Sequence, residues 1–365
     1  MREKEDHYEY VTIFVDDLLV FSRNAKEIID IFEVLYGVKS VGFPEYYNGG
    51  DVYEDKNDLL CLSAKTYIKQ VCEKIEKLFE TKLRCYGSPL EPGDHPEMDE
   101  SEIMDTDDVA KYQMLCGCAQ WAVSLGRFDI QYAVNTMARF AVCPREGHMK
   151  RMLRIFGYLK YHTKGRLRFD LSEPLIDSLD FKDFEWNELY PEATEEIPYD
   201  APNTKPTTND VTIVCHCDSD HGHDLLTRRS VTGFVISINK TPIKFYSKRQ
   251  NTVESSSYGS ELVAGRIATE AIMEYRYKLR MMGIKVEGPS ILMIDNQSVV
   301  ANTTLPSSSL KKKHNSIAYH RMREAVAAGI IKVGFIRSAT NLADILTKPI
   351  GPSDYWNLLS EVFYG

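Results

Sequence analysis

The chain lacks any run of about 18 apolar residues, so no segment reads as a membrane-spanning helix. It lacks a secretory leader as well: Met1-Arg-Glu-Lys-Glu-Asp6 is charged and runs straight into a strand-like segment. Its eight cysteines form no Cys-x-x-Cys pair and no Cys/His spacing suited to zinc; Cys116-x-Cys118 and Cys215-His216-Cys217 come nearest. Structural thiols in a reduced intracellular protein are the plainest reading. No internal repeat is present. What remains, 43% hydrophobic and 27% charged residues over 365 positions, suits a globular chain long enough for two or three cores.

An overall basic excess is also missing, since the net charge is -9, but the average hides a strong asymmetry. Residues 211–365 carry 19 Lys and Arg against 13 Asp and Glu, whereas residues 1–210 carry 25 against 40. Leu171 to Asp210 alone holds 2 against 11, together with five prolines, and reads as an acidic linker or insertion, poorly ordered in part. Arg145 to Arg168 holds 8 basic residues against Glu146 alone, with Phe156, Tyr158 and Tyr161 among them. Local charge is what a phosphate backbone meets, because salt screens the field within about 8–10 Å. That stretch is therefore a candidate for tracking a duplex.

Tyr10–Val15 and Leu18–Phe21 read as two strands around the Asp16-Asp17 turn. Helical spacing follows over 24–37 and 64–83, prolines mark a loop near 89–96, and residues 109–162 are helical with breaks near Gly126 and Pro144. After the acidic linker the pattern changes. Residues 211–217, 230–237 and 242–247 read as three successive strands, followed by a long helix over 256–282. A strand at 290–294, a short helix, a basic helix near 314–328 and a strand at 330–336 come next. A last helix is expected to start at the N-cap Asn341. Such an order predicts a mixed α/β sheet containing an antiparallel ribbon.

Four acids stand at telling places in that layout. Asp218 ends the first strand, Glu261 lies one turn into the long helix, Asp295 ends the fourth strand, and Asp344 sits in the first turn of the last helix. Strand ends and helix starts can converge at one sheet edge, where helix N-termini favour negative charge. Two carboxylates 4 Å apart repel by about 4 kcal/mol at an effective dielectric near 20, so a cluster of them calls for cations. All-oxygen ligation suits Mg²⁺, with Mn²⁺ as substitute, and two such ions can flank a phosphate. Any one of these acids alone is as readily a cap or a solvated charge.

The motifs around these acids resemble the C-terminal part of Ty1/copia-type retrotransposon polyproteins. Asp218-Ser-Asp220 with Arg229-Ser-Val-Thr-Gly233 resembles the family's Asp-Ala-Asp-Trp and Arg-Ser-x-x-Gly. Ser247-Lys-Arg-Gln250 and Ser256-Ser-Tyr-Gly-Ser-Glu261 resemble Ser-Lys-Lys-Gln and Ser-Ser-x-Glu-Ala-Glu. Asp295-Asn296, then Lys313-His314 through Arg323-Glu324, then Leu342-Ala-Asp344-Ile-Leu-Thr-Lys-Pro349 follow in family order. The resemblance implies an RNase H-like mixed sheet with helices on both faces over 211–365. It implies metal-ligand roles for Asp218, Glu261, Asp295 and Asp344, and two Mg²⁺ ions. Asp218 is preferred to Asp220 on this ground alone; the spacing leaves both open. His314, beside Lys311-Lys-Lys313, is implied either in leaving-group protonation and product release or in phosphate contact. Arg229, Lys248, Arg249, Gln250, Asn296, Lys312 and Lys313 are the implied nucleic-acid contacts. Gly259 replaces a family acid, and Asn315-Ser316 replaces Ile-Asp.

Upstream, Phe14-Val-Asp16-Asp17 resembles the Tyr/Phe-x-Asp-Asp turn of reverse transcriptases, although an Asp-Asp hairpin is also common. Tyr46-Tyr-Asn-Gly49, Tyr112 to Ala133 with Arg127-Phe-Asp129, and His148 to Thr163 continue the likeness. The implied organisation is a partial reverse-transcriptase palm (1–100), a helical thumb/connection region (101–170), the acidic linker (171–210) and an RNase H domain (211–365). Nothing before Met1 supplies the further palm Asp that polymerisation needs, so DNA synthesis by this polypeptide alone is not expected. The implied activity is cleavage of the RNA strand of RNA–DNA hybrids, leaving a 3′-hydroxyl and a 5′-phosphate. The hybrid and the rest of the polyprotein are the expected partners, in the cytoplasm (a virus-like particle) or the nucleus. The alternatives are a non-catalytic nucleic-acid-binding remnant and an inert product that never folds.

Overall fold

The computed structural model describes residues 1–38, 41–174, 176, 181, 183–205, 210–310 and 312–363. β1 (Arg2–Glu3), β2 (Tyr8–Phe14) and β3 (Asp17–Phe21) form an antiparallel sheet backed by α1 (Ala25–Tyr36). The β2–β3 turn is tight, with Val15 at φ 52. A second antiparallel sheet joins β4 (Tyr46–Tyr47), β5 (Gly50–Glu54), β6 (Leu60–Ser63) and β7 (Arg166–Arg168), with α2 (Lys65–Leu78), α3 (Thr106–Ser124), α4 (Gln131–Ala138) and α5 (Glu146–Tyr161) between β6 and β7. The break expected near Gly126 has a physical cause: the residue sits at φ 94, and a Cβ there would lie 2.8 Å from Leu167.

β8 (Ile213–Asp220), β9 (Val231–Ile238) and β10 (Thr241–Arg249) form an antiparallel meander. α6 (Ser257–Met281) carries the chain to β11 (Ser290–Ile294), which pairs parallel to β8. α7 (Gln297–Thr304) and α8 (Ser316–Ala327) lead to β12 (Ile331–Phe335), parallel to β11. The sheet order β10-β9-β8-β11-β12, with this mixture of polarities, is the RNase H-like mixed α/β sheet that the motifs implied. Alternation along the strands sends Cys215, Cys217, Phe234 and Ile236 to one face, under Leu262, Ala268 and Ile272 of α6 and Met322 of α8. The other face sends Val231 and Val235 into a core with Leu342, Ile345 and Leu346 and with the helical region. Helices thus cover both faces.

One expectation changes. The last helix does not start at Asn341. That residue caps a single 3-10 turn (Leu342–Leu346), and α9 (Pro352–Phe363) follows only after Pro349 and Gly351. α9 packs away from the mixed sheet's α6 face: Phe363 meets the Phe128 ring at 4.8 Å, and the Trp356 indole donates to Gly87 O at 2.9 Å. Residues 175, 177–180, 182 and 206–209 of the acidic segment lie outside the described residues, and its described part makes several contacts. Ile176 and Phe181 pack on Val214, Ile291 and Met293, and Trp186 is buried beneath Arg323. Glu195 pairs with both Arg276 (2.6 Å) and Arg280 (2.5 Å) of α6, which hold its carboxyl down at about 2.

Candidate metal centre

Parallel pairing places Cys217 of β8 opposite Ile294 of β11, so the next residues, Asp218 and Asp295, leave adjacent strands side by side. Ser256 caps α6 by accepting the Gly259 N–H, and Glu261 follows in the next turn, over the same strand ends. One ligand atom each from Asp218, Glu261 and Asp295 lies within 4.8 Å of the others; among the described residues this is the one such group of three or more Asp, Glu, His or Cys.

Each carboxylate is aimed by a neighbour. The Ser219 N–H donates to Glu261 Oε1 at 3.2 Å, and Ser338 Oγ donates to Asp295 Oδ2 at 2.6 Å. The Thr347 hydroxyl donates to Asp218 Oδ2. Glu261 Oε2 and Asp344 Oδ1 are buried with no hydrogen-bond partner. Burial pushes the Glu261 carboxyl well above its usual range, and the charges of Asp218 and Asp295 add to this. Burial raises Asp218 too, against the opposing Lys348 and Thr347. Asp344 is pushed up to about 7, chiefly by burial and then by Asp218. Three convergent carboxylates, one with a buried oxygen that has no partner, fit a hard divalent cation held by oxygen ligands.

The fourth acid stands apart. Asp344, on the 3-10 turn, lies outside that group and pairs with Lys348 Nζ at 3.0 Å, which is also 3.7 Å from Asp218 Oδ2. The turn reaches the site because β9 offers Gly233 beneath it. A Cβ there would lie 2.9 Å from Leu346 Cβ and 3.0 Å from Ala343 O.

Asp220 is not in the cluster. Its Oδ2 lies 2.5 Å from His223 Nδ1, and His223 Nε2 lies 2.5 Å from the Tyr132 hydroxyl of α4. His314 is exposed and stands 3.4 Å from Glu254 Oε2. That Glu254 oxygen would be 2.6 Å from a Cβ at Gly259, so a different side chain occupies the room of the family's missing acid. Lys312 Nζ reaches Ser255 Oγ at 3.1 Å and Ser256 Oγ at 2.7 Å, beside the α6 N-terminus. Lys313 and Lys248 are exposed, Arg229 is half-buried, and Lys311 lies outside the described residues. Three of the implied nucleic-acid contacts have internal partners instead. Arg249 pairs with Asp224 at 2.8 Å, and buried Gln250 donates to Thr232 Oγ1 at 2.9 Å. Asn296 caps α7.

Asp16 and Asp17 are exposed at the β2–β3 turn and join no three-residue cluster among the described residues. The basic stretch is largely consumed by acids. Arg151 pairs with Asp94 and Asp99, Arg154 with Glu91, Lys160 with Glu76 and Arg168 with Asp55. Lys348, Thr347 and Ser338 were not singled out from sequence. The Asp344-to-Lys348 spacing inside the C-terminal motif was the available signal for one of them.

No family model matches the chain. The retrovirus-related Pol polyprotein from transposon RE1 of Arabidopsis thaliana is 22% identical over 356 residues, which is 97% of this chain and 21% of that protein. The corresponding polyprotein from transposon TNT 1-94 of Nicotiana tabacum is 22% identical over 371 residues, covering 99% of this chain and 25% of that protein. The transposon TyH3 Gag-Pol polyprotein of Saccharomyces cerevisiae is 24% identical over 375 residues, covering 96% and 19%. The chain's homologues are therefore Pol polyproteins of copia- and Ty1-type transposons, and it spans about a fifth to a quarter of their length. Among solved structures, the N-terminal RNase H domain of rv2228c from Mycobacterium tuberculosis aligns at 14% identity and a TM-score of 0.30, covering 38% of this chain and 91% of that one. RNase H1 from Halobacterium salinarum aligns at 17% identity and a TM-score of 0.29, covering 38% and 95%.

Proposed function

We propose that the chain is a divalent-metal ribonuclease that cuts the RNA strand of RNA–DNA hybrids, attached to a polymerase-derived segment that does not polymerise on its own. The observation that carries this reading is the meeting of Asp218, Glu261 and Asp295, from three separate elements, within 4.8 Å. Two Mg²⁺ ions held there and towards Asp344, with Mn²⁺ as substitute, would supply an activated water and charge neutralisation at the scissile phosphate. The protein's part is preorganisation. Ser338, Thr347 and the Ser219 N–H fix the carboxylate oxygens, so little reordering remains when the phosphate arrives. Water adds to phosphorus as the ribose 3′ oxygen departs, giving a 3′-hydroxyl and a 5′-phosphate. A hybrid is favoured over plain RNA because the 2′-hydroxyls and the DNA backbone offer two different grips. Exposed Lys248 and Lys313, with half-buried Arg229, are the candidates to meet phosphates, while Lys312 and His314 would do so from beside Ser256 and Glu254.

The polymerase-derived segment fits this division. Asp16 and Asp17 have no third carboxylate gathered with them among the described residues, and metals for nucleotide addition need more ligands than a two-acid hairpin. A labelled hybrid incubated with Mg²⁺ should be cut by the wild type and not detectably by Asp295→Asn. Salt-dependent binding without cutting in either protein would favour the binding-remnant alternative instead.

A further inference from the structure

Among the described residues, Lys348 is the one basic side chain paired with acids of the cluster, and its placement is built. The Thr347 and Lys348 N–H groups both return to Asp344 O, at 3.3 and 3.4 Å. Pro349 O accepts the Gly93 N–H at 3.4 Å, and Leu346 is fully buried against β9. The backbone therefore has little freedom to withdraw the ammonium group. It sits between two acids, 3.0 Å from Asp344 Oδ2 and 3.7 Å from Asp218 Oδ2. Asp344 points to it and lies outside the three-carboxylate group.

We propose that Lys348 is a positioning residue that stands in for one cation of the cluster. In the substrate-free chain a single divalent ion binds at Asp218, Glu261 and Asp295, and the ammonium neutralises Asp344 and the outer oxygen of Asp218. The inference rests on the metal-centre reading above and assigns the order in which that centre fills. Geometry favours it: the ammonium stands between Asp344 Oδ2 and Asp218 Oδ2, where an ion bridging those two acids would sit, and a second dication beside it would meet a like charge. The second ion then requires the ammonium to give way, which an arriving phosphate can induce by pairing with it.

Manganese titration of the full chain, without nucleic acid and read by the EPR signal of free Mn²⁺, tests this directly. One tight ion is expected in the wild type and in Lys348→Arg. Two are expected in Lys348→Met and Lys348→Gln, the second bound at least about tenfold more tightly than any second ion of the wild type. Gln keeps a donor for Asp344, so it separates charge from hydrogen bonding. The same stoichiometry and affinities in all four proteins overturn the role of Lys348 while leaving the metal centre standing. No ion in any of them overturns the metal centre itself, and this inference with it. If both neutral variants fail to fold, the wild type still decides the matter by ¹⁵N-lysine NMR during Mg²⁺ titration. An ion-paired Lys348 signal that survives the first equivalent supports the proposal, and one lost at the first equivalent overturns it.

Discussion

At the scale of single residues, the cluster is an electrostatic liability that a cation turns into a site. Asp344 shows this in a measurable way. Its carboxyl is ordinarily near 3.8 and is pushed up to about 7 on folding. An acid raised in this way favours the folded state while protonated, below about pH 4, and that contribution is lost as pH rises through about 7. In chelator, the wild type should therefore lose stability across this window, and Asp344→Asn should lose distinctly less, by thermal or urea unfolding. An equal slope in both proteins would contradict the assignment. A second residue-scale case is Arg127 with Asp129, paired at 2.6 Å with both side chains 1% exposed and with Tyr158 also donating to the carboxylate. Asp129→Ala breaks this buried pair and should cost about 3–5 kcal/mol of stability. Asp129→Asn, which keeps an acceptor, should cost less. Asp218, Glu261 and Asp295, which the structure brings together, were singled out by the motifs around them, whereas Asp344 stands on a 3-10 turn and not in the helix expected there. Lys348 was not singled out, because its partner depends on how the Asn341-capped turn bends, and a short 3-10 turn leaves no periodicity to read.

At the scale of elements, the candidate centre depends on one close approach, that of the 342–346 turn onto β9. Gly233 makes it possible, since a Cβ there would fall 2.6 Å from Thr347 Cγ2 and 2.9 Å from Leu346 Cβ. Gly233→Ala should push the turn outward and cost about 1–3 kcal/mol by overpacking. Hybrid cleavage should fall more steeply than stability does, because Thr347 and Lys348 move with the turn. Unchanged cleavage kinetics in this variant would show that the turn does not matter to the site. Strand and helix placement along the mixed sheet followed the hydrophobic periodicity closely, with β11 at Ser290–Ile294 as expected. The last helix did not follow, because Asn341 can cap either a helix or a turn and the deciding break lies at Pro349 and Gly351. The contacts of the acidic segment were illegible for a different reason: Trp186 and Glu195 find partners on α8 and α6 that only the folded sheet brings within reach.

At the scale of the whole molecule, the helical region of residues 101–170 and the mixed-sheet part of residues 211–363 are interlocked. The Phe128 ring is stacked 4.0 Å from Phe245 of β10 and packs edge-on to Phe363 of α9. The Tyr132–His223–Asp220 chain and the Arg139–Asp224–Arg249 pairs cross the same boundary. The contacts that cross from residues 128–139 to residues 223–363 could not be read from sequence, because they arise through packing that no local pattern encodes. The basic stretch at Arg145–Arg168 shows the converse: a charge pattern that reads as a nucleic-acid surface is spent largely on acids of residues 55–99. The central claim of the account is that acids from β8, α6 and the end of β11 share a divalent ion. Anomalous diffraction from crystals soaked in Mn²⁺ tests it most directly. The account predicts a manganese peak within about 2.0–2.4 Å of carboxylate oxygens from Asp218, Glu261 and Asp295. A well-ordered cluster at high Mn²⁺ with no such peak would contradict it.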